Sequence, residues 1–69
     1  MRLSARNQLP GTVTRVDIGA VMSTVVIRLA GGEEVVAAIT KDSAEHLELA
    51  VGDSVMAVIK ATEVMVAKD

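Results

Sequence analysis

The residues here that could do chemistry are hydrogen-bond donors, and they come in two short groups. Ser4-Ala5-Arg6-Asn7-Gln8-Leu9 lies towards one end of the chain and Ile59-Lys60-Ala61-Thr62-Glu63-Val64 towards the other. Each is a polar insertion at the edge of an apolar strand pattern. Each offers a hydroxyl, a cation and backbone N–H groups, and neither contains a carboxylate before Glu63. A donor set of this kind suits a small dianion. Lys60 would bring a full positive charge. The small neighbours Ala61 and Thr62 let successive N–H groups form an anion-binding concavity. Ser4, Arg6, Asn7 and Gln8 would add hydroxyl, guanidinium and amide donors. The plainer readings are a solvated lysine at a strand end and a polar leader that hydrogen-bonds its own turns.

Two further stretches carry the same ambiguity. Thr40-Lys41-Asp42-Ser43 opens a helical pattern, where Thr40, Asp42 or Ser43 can cap the helix. A helix start also leaves N–H groups for an anion, a use that Asp42 opposes unless it points away. Gly19-Ala20-Val21 reads either as a turn or as a close backbone approach to a ligand or a neighbour. His46 is a lone histidine, without the partner that acid–base catalysis needs. Met22, Met56 and Met65 read as gap-filling residues of a core or interface. There is no nucleophile–base pair, paired acid motif or glycine-rich phosphate loop, so no enzyme, metal site or cofactor is expected.

These groups must be positioned by strands. Thr12–Ile18 is rich in β-branched residues, but Val13 falls in one phase and Val16 and Ile18 in the other, which predicts a bulge near Arg15. Pro10 just before it implies an edge position or a strand start. Val21–Leu29 is the clearest strand, with Val21, Val25, Ile27 and Leu29 on one face and Ser23 between them. Ala30-Gly31-Gly32-Glu33 predicts a hairpin turn, and Glu34–Thr40 a return strand. Asp42 followed by Glu45 resembles a capping box, predicting one short helix over about 42–48. Gly52-Asp53 is a turn, Ser54–Lys60 a fourth strand and Thr62–Val66 a short fifth. The order β-β-β-α-β-β predicts an all-β fold, a five-stranded OB-type Greek-key small barrel with a short helix between strands three and four. An SH3-like small barrel is the competing fold.

Composition bounds what such a domain can be. The chain has 69 residues, enough for one domain spanning 1–69, and lacks Phe, Tyr, Trp and Cys. A chain this short gains little from its own core, and without disulfides the remaining staple is self-association. The 51% hydrophobic content supports that. Several strands are apolar on both faces, and the outward set drawn from Met22, Val26, Val36, Ala38, Val58 and Met65 is too large for a soluble monomer. A homo-oligomer is therefore expected. A net charge of −2 with interspersed signs and no aromatic residue argues against a nucleic-acid-binding barrel. No apolar run approaches the roughly 20 residues of a spanning helix. Met1-Arg2-Leu3 leads straight into polar residues with no apolar signal core, so a cytoplasmic protein is expected.

Taken together, Ser4-Ala5-Arg6-Asn7-Gln8-Leu9-Pro10-Gly11, Gly19-Ala20-Val21-Met22, Ile39-Thr40-Lys41-Asp42-Ser43, Leu49-Ala50-Val51-Gly52-Asp53 and Ile59-Lys60-Ala61-Thr62-Glu63-Val64-Met65-Val66 closely resemble the molbindins. These are stand-alone molybdate-binding members of the transport-associated OB (TOBE) domain family, and the resemblance covers essentially the whole chain. It implies a non-catalytic OB-type barrel assembled into a hexamer, a trimer of dimers. Molybdate or tungstate would be bound at subunit interfaces, for intracellular molybdenum storage or homeostasis. The matching positions imply a primary site with Ser4, Arg6 and the Lys60-Ala61 pair from one subunit and Thr40 and Ser43 from another. Many members have Ser after the lysine, whereas Ala61 here offers only its backbone N–H. A second site type near a symmetry axis would use Asn7, Gln8 or the Gly19–Met22 segment. Two other readings stand beside this one: a structural or regulatory oligomer with no anion ligand, and a nucleic-acid-binding OB domain.

Overall fold

A computed structural model describes residues 2–69. It contains four strands, β1 (Asn7–Ile18), β2 (Met22–Leu29), β3 (Glu34–Thr40) and β4 (Ser54–Ile59), and one α-helix, α1 (Lys41–His46). All pairings are antiparallel, and the sheet order is β3-β2-β1-β4. The long strand β1 organises the sheet. Asn7–Thr12 pairs with β4, and Gly11–Ile18 pairs with β2, so the two ladders overlap only at Gly11 and Thr12. Sharing one strand between two partners in this way makes a sheet that curls into an open, barrel-like form.

The phase slip in β1 is resolved by a register shift between Val13 and Arg15. One extra residue there lets Val13, 1% exposed, and Val16 both turn to the inside. Pro10 sits within β1, opposite Met56 of β4, and precedes the first β1–β2 pair at Gly11. The strand is open on that side, which is where a residue with no N–H is tolerated.

Val13, Val25, Ile27 and Ala57 form the core, with Val16, Leu29, Val35, Ala37, Ile39, Leu49 and Val55 half-buried around it. These residues alternate with exposed ones along β2, β3 and β4. Met22, Val36, Met56 and Val58 remain exposed on the outer face. The β2–β3 turn is closed by Gly32 N–H donating to the Leu29 carbonyl at 3.0 Å, with Gly32 at φ 94°. That left-handed conformation favours glycine.

Three features differ from the sequence expectation. First, β1 begins at Asn7, because β4 lies beside Asn7–Gly11 and supplies the ladder that local composition does not announce. Second, the helix is Lys41–His46, capped by Thr40, and Glu48 at φ 51° ends it early. Third, no fifth strand forms over Thr62–Val66. Ala61–Glu63 is a single 3-10 turn, with Glu63 N–H donating to the Lys60 carbonyl at 2.9 Å. Residues 64–69 run on without a strand partner, and Met65 and Val66 are 93% exposed. A strand exists only through its ladder, and this stretch meets no neighbouring edge in its own chain.

Candidate functional site

The antiparallel β1–β4 ladder sets Asn7 opposite Ile59 and Gln8 opposite Val58. The segment Ser4–Arg6 and the Lys60–Thr62 turn therefore leave the ladder at the same end. Ser4, Arg6, Lys60, Ala61 and Thr62 are exposed, and Asn7 and Gln8 are half-buried. The two ion pairs among the described residues, Arg15–Asp17 and Lys41–Glu45, leave Arg6 and Lys60 without a carboxylate partner. Lys60 occupies the N-cap of the 3-10 turn, and no side chain caps it. The N–H groups of Ala61 and Thr62 have no acceptor among the described residues, because the turn's own bonds use the N–H groups of Glu63 and Val64. One donor is spent locally: Gln8 Nε2 donates to the Ala5 carbonyl at 2.9 Å and shapes the leader.

The other donors gather at the opposite end of β1. Thr40 pairs with Met22 across β2–β3, and Lys41 N–H donates to the Val21 carbonyl at 2.8 Å. These contacts join Gly19-Ala20-Val21 to the start of α1. The Gly19 N–H donates to the Met22 carbonyl at 2.9 Å, closing a tight turn in which a Cβ on Gly19 would lie 2.5 Å from that oxygen. Thr40 Oγ1 accepts from Ser43 N–H at 3.0 Å and donates to Ser43 Oγ at 2.8 Å. The Thr40 hydroxyl is thus committed to the cap. Ser43 Oγ receives that proton and keeps its own to donate outward.

Asn7 and Ile18 are the two ends of β1, a strand of 12 residues. Eleven steps of extended chain span up to about 36 Å. One chain therefore presents two separate donor groups, Ser4–Gln8 with Lys60–Thr62 and Gly19–Val21 with Thr40–Ser43, and does not merge them. No cluster of three or more His, Cys, Asp or Glu occurs among the described residues. A cavity of about 410 Å³ lies between β3 and β4, and its lining is apolar and includes none of these donors.

Sequence reasoning gave no role to Ser23, which is 1% exposed, and whose Oγ has no partner among the described residues. The visible signal was a lone hydroxyl in the apolar register of Val21, Val25 and Ile27. It also did not anticipate that the Gly19 turn and the Thr40 cap would meet, because the Lys41–Val21 bond links segments twenty residues apart.

The TOBE domain family model matches residues 3–66. The chain is 55% identical over 65 residues to the molybdenum transport protein ModE of Herbaspirillum seropedicae, covering 94% of this chain and 24% of that protein. It thus spans about a quarter of the length of that relative. It is 47% identical over 66 residues to molybdenum-pterin-binding protein 3 of Clostridium pasteurianum, covering 96% and 97% of the two chains. A solved structure of a molybdate-binding protein from Sporomusa ovata superposes with a TM-score of 0.92 at 47% identity, over 99% of this chain and all of that one.

Proposed function

This chain belongs to the TOBE domain family, and from that premise we propose that it binds molybdate, or the nearly isosteric tungstate, without catalysing a reaction. The carrying observation is the register that sets Asn7 opposite Ile59. The segment with Ser4 and Arg6 and the turn with Lys60, Ala61 and Thr62 leave the ladder at the same end, which supports a shared group rich in donors. Molybdate is doubly negative, with four acceptor oxygens and nothing to donate. Protonated phosphate carries an O–H that such a site leaves unpaired, so a donor-only site disfavours it. Burying a dianion is costly unless many donors meet it. The site therefore draws on more than one chain, with Thr40 and Ser43 of another copy facing Ser4, Arg6, Lys60 and Ala61.

In this reading the protein works as a homo-oligomer, a hexamer built as a trimer of dimers, with its anions held at the interfaces. A second site type uses Asn7, Gln8 or the Gly19–Val21 turn, with Thr62 at the rim of the first. The role is storage or homeostasis of molybdenum in the cytoplasm. No helix among the described residues is long and apolar enough to cross a membrane.

A second reading has its own support. Gln8 satisfies the Ala5 carbonyl and Thr40 satisfies its own helix, as they would in an oligomer that holds no anion. Isothermal titration with molybdate, with sulfate and phosphate as controls, separates the two. Saturable heat with molybdate and little response to the controls supports the binding role. No heat with any anion, on a folded oligomer, leaves only the scaffold.

A further inference from the structure

Ser43 shares its surroundings with the one histidine of the chain. An open surface hollow of about 460 Å³ is lined by Asp42, Ser43, His46 and Leu47. The spacing accounts for this, because residues three and four apart on a helix are neighbours. Within α1, His46 stands three residues after Ser43 and four after Asp42. One position earlier, the matching pair Lys41 and Glu45 is closed as an ion pair at 3.8 Å. Asp42 and His46 are in neither of the two ion pairs among the described residues. Ser43 Oγ accepts from Thr40 and keeps its own proton to donate outward. Beside that donor, the Asp42 carboxylate has the wrong sign for an anion.

The neighbouring elements of the same chain bring no other free charge to the hollow. α1 packs on β2 and β3. The charged residues of those strands are Arg28 and Glu34, which pair in register at the opposite end of the ladder from Met22–Thr40, about 20 Å away. Asp17 of β1 is held by Arg15 at 2.7 Å. Glu48 leaves the helix at φ 51° and does not line the hollow. The local balance is therefore set by Asp42, negative, and His46, neutral or positive. Given the binding role proposed above, on which this rests, we infer that His46 is a proton-dependent member of the oxyanion site. Protonated, it offsets Asp42 beside Ser43 and strengthens the hold on a dianion. Imidazole ordinarily changes charge between about pH 5 and 8. A bound dianion favours the imidazolium, so binding takes up protons, and affinity rises as pH falls. Asp42 and His46 are both exposed, so solvent keeps the effect to about two- to fivefold in dissociation constant.

Titration calorimetry with molybdate tests this on the unsubstituted protein, His46→Gln and Asp42→Asn. Each is measured at about pH 6 and about pH 8, across the ordinary imidazole range, in two buffers of different ionisation heat. Molybdate is a dianion at both values, so a change in affinity comes from the protein. The unsubstituted protein should bind about two- to fivefold tighter at the lower pH, with net proton uptake. His46→Gln should still bind, with the pH dependence flattened and the uptake lost. Asp42→Asn should bind tighter than the unsubstituted protein at the higher pH. Equal affinity of the unsubstituted protein at both pH values would overturn the inference and leave the binding role standing. So would a His46→Gln variant whose affinity falls alike at both pH values and whose proton uptake persists, since that is a structural effect of the substitution. No saturable heat at either pH, on folded protein, would overturn the binding role and the inference with it.

Discussion

Asn7 and Ile59 face each other across the β1–β4 ladder, and this pairing brings the polar leader and the Lys60 turn to the same end of it. Both side chains are only half-buried, so the importance of the pair lies in its backbone. A slip of one residue would turn every β4 side chain to the other face and carry the turn away from the leader. Ala57, 5% exposed, and Val55 on the inner face of β4 hold that register.

Lys60→Ala and Ser4→Ala should each weaken molybdate binding while the fold and the oligomer persist. Both residues are exposed, and neither side chain makes a hydrogen bond or ion pair among the described residues, so little stability rests on those side chains. A hydrogen bond involving a charged group contributes about 1.5–3 kcal/mol, which corresponds to roughly ten- to a hundredfold in dissociation constant. Titration calorimetry on both variants gives the answer. Isotherms that match the unsubstituted protein would remove these two residues from the site.

Gly19→Ala and Gly31→Ala should separate by their consequences. At Gly19 the new Cβ meets the Met22 carbonyl oxygen at 2.5 Å, a backbone atom tied by the turn's own hydrogen bond. At Gly31 the obstacle is the Glu33 carboxylate, the far end of a flexible side chain that can swing away. Gly19→Ala should therefore cost about 1–3 kcal/mol, lowering Tm by roughly 5–20 °C in a domain of this size. Gly31→Ala should stay within about 0.5 kcal/mol of the parent. Equal melting temperatures for the two would show that the Gly19 turn relaxes freely.

The same contrast shows where local sequence information stops. The Gly31-Gly32 turn, the limits of β3 and the β1 bulge were legible, because each rests on a local property: permitted positive φ, alternation, or a phase slip between Val13 and Val16. Asn7–Gly11 was not legible as strand, since Pro10 and Gly11 speak against it and only β4 supplies the ladder. Val64-Met65-Val66 erred the other way: its composition favours a strand, and the chain offers it no partner. The donor groups were visible by residue type, but which of them meet depends on long-range register. The Lys41–Val21 bond joins Gly19–Val21 to Thr40–Ser43, and nothing local announces it.

Thr40 distinguishes a capping role from a binding role. Its Oγ1 accepts from Ser43 N–H and donates to Ser43 Oγ. Thr40→Ala should cost about 1 kcal/mol through the lost cap, and it also frees Ser43 Oγ to reorient. Thr40→Ser should restore both functions. If anion affinity falls in Thr40→Ala and returns in Thr40→Ser, the cap orients Ser43 for the ligand. A loss of stability with unchanged affinity would confine Thr40 to the helix.

Anion binding should depend on protein concentration. The two donor groups lie at opposite ends of β1, up to about 36 Å apart if the strand is extended, so a site that combines them needs two chains. Its assembly is then linked to association: molybdate favours the oligomer, and dilution below the oligomer's dissociation constant weakens molybdate. Each filled site adds about 2.7 kcal/mol of stability at a hundredfold excess over its dissociation constant, enough to raise Tm with ligand concentration. Sedimentation velocity at decreasing protein concentration, with and without molybdate, reads the linkage directly. The expected result is a dissociation midpoint that moves to lower protein concentration when molybdate is present. A site complete within one chain would bind with the same affinity at every dilution and leave that midpoint unmoved. In that case Thr40 and Ser43 could not be part of the Lys60 site.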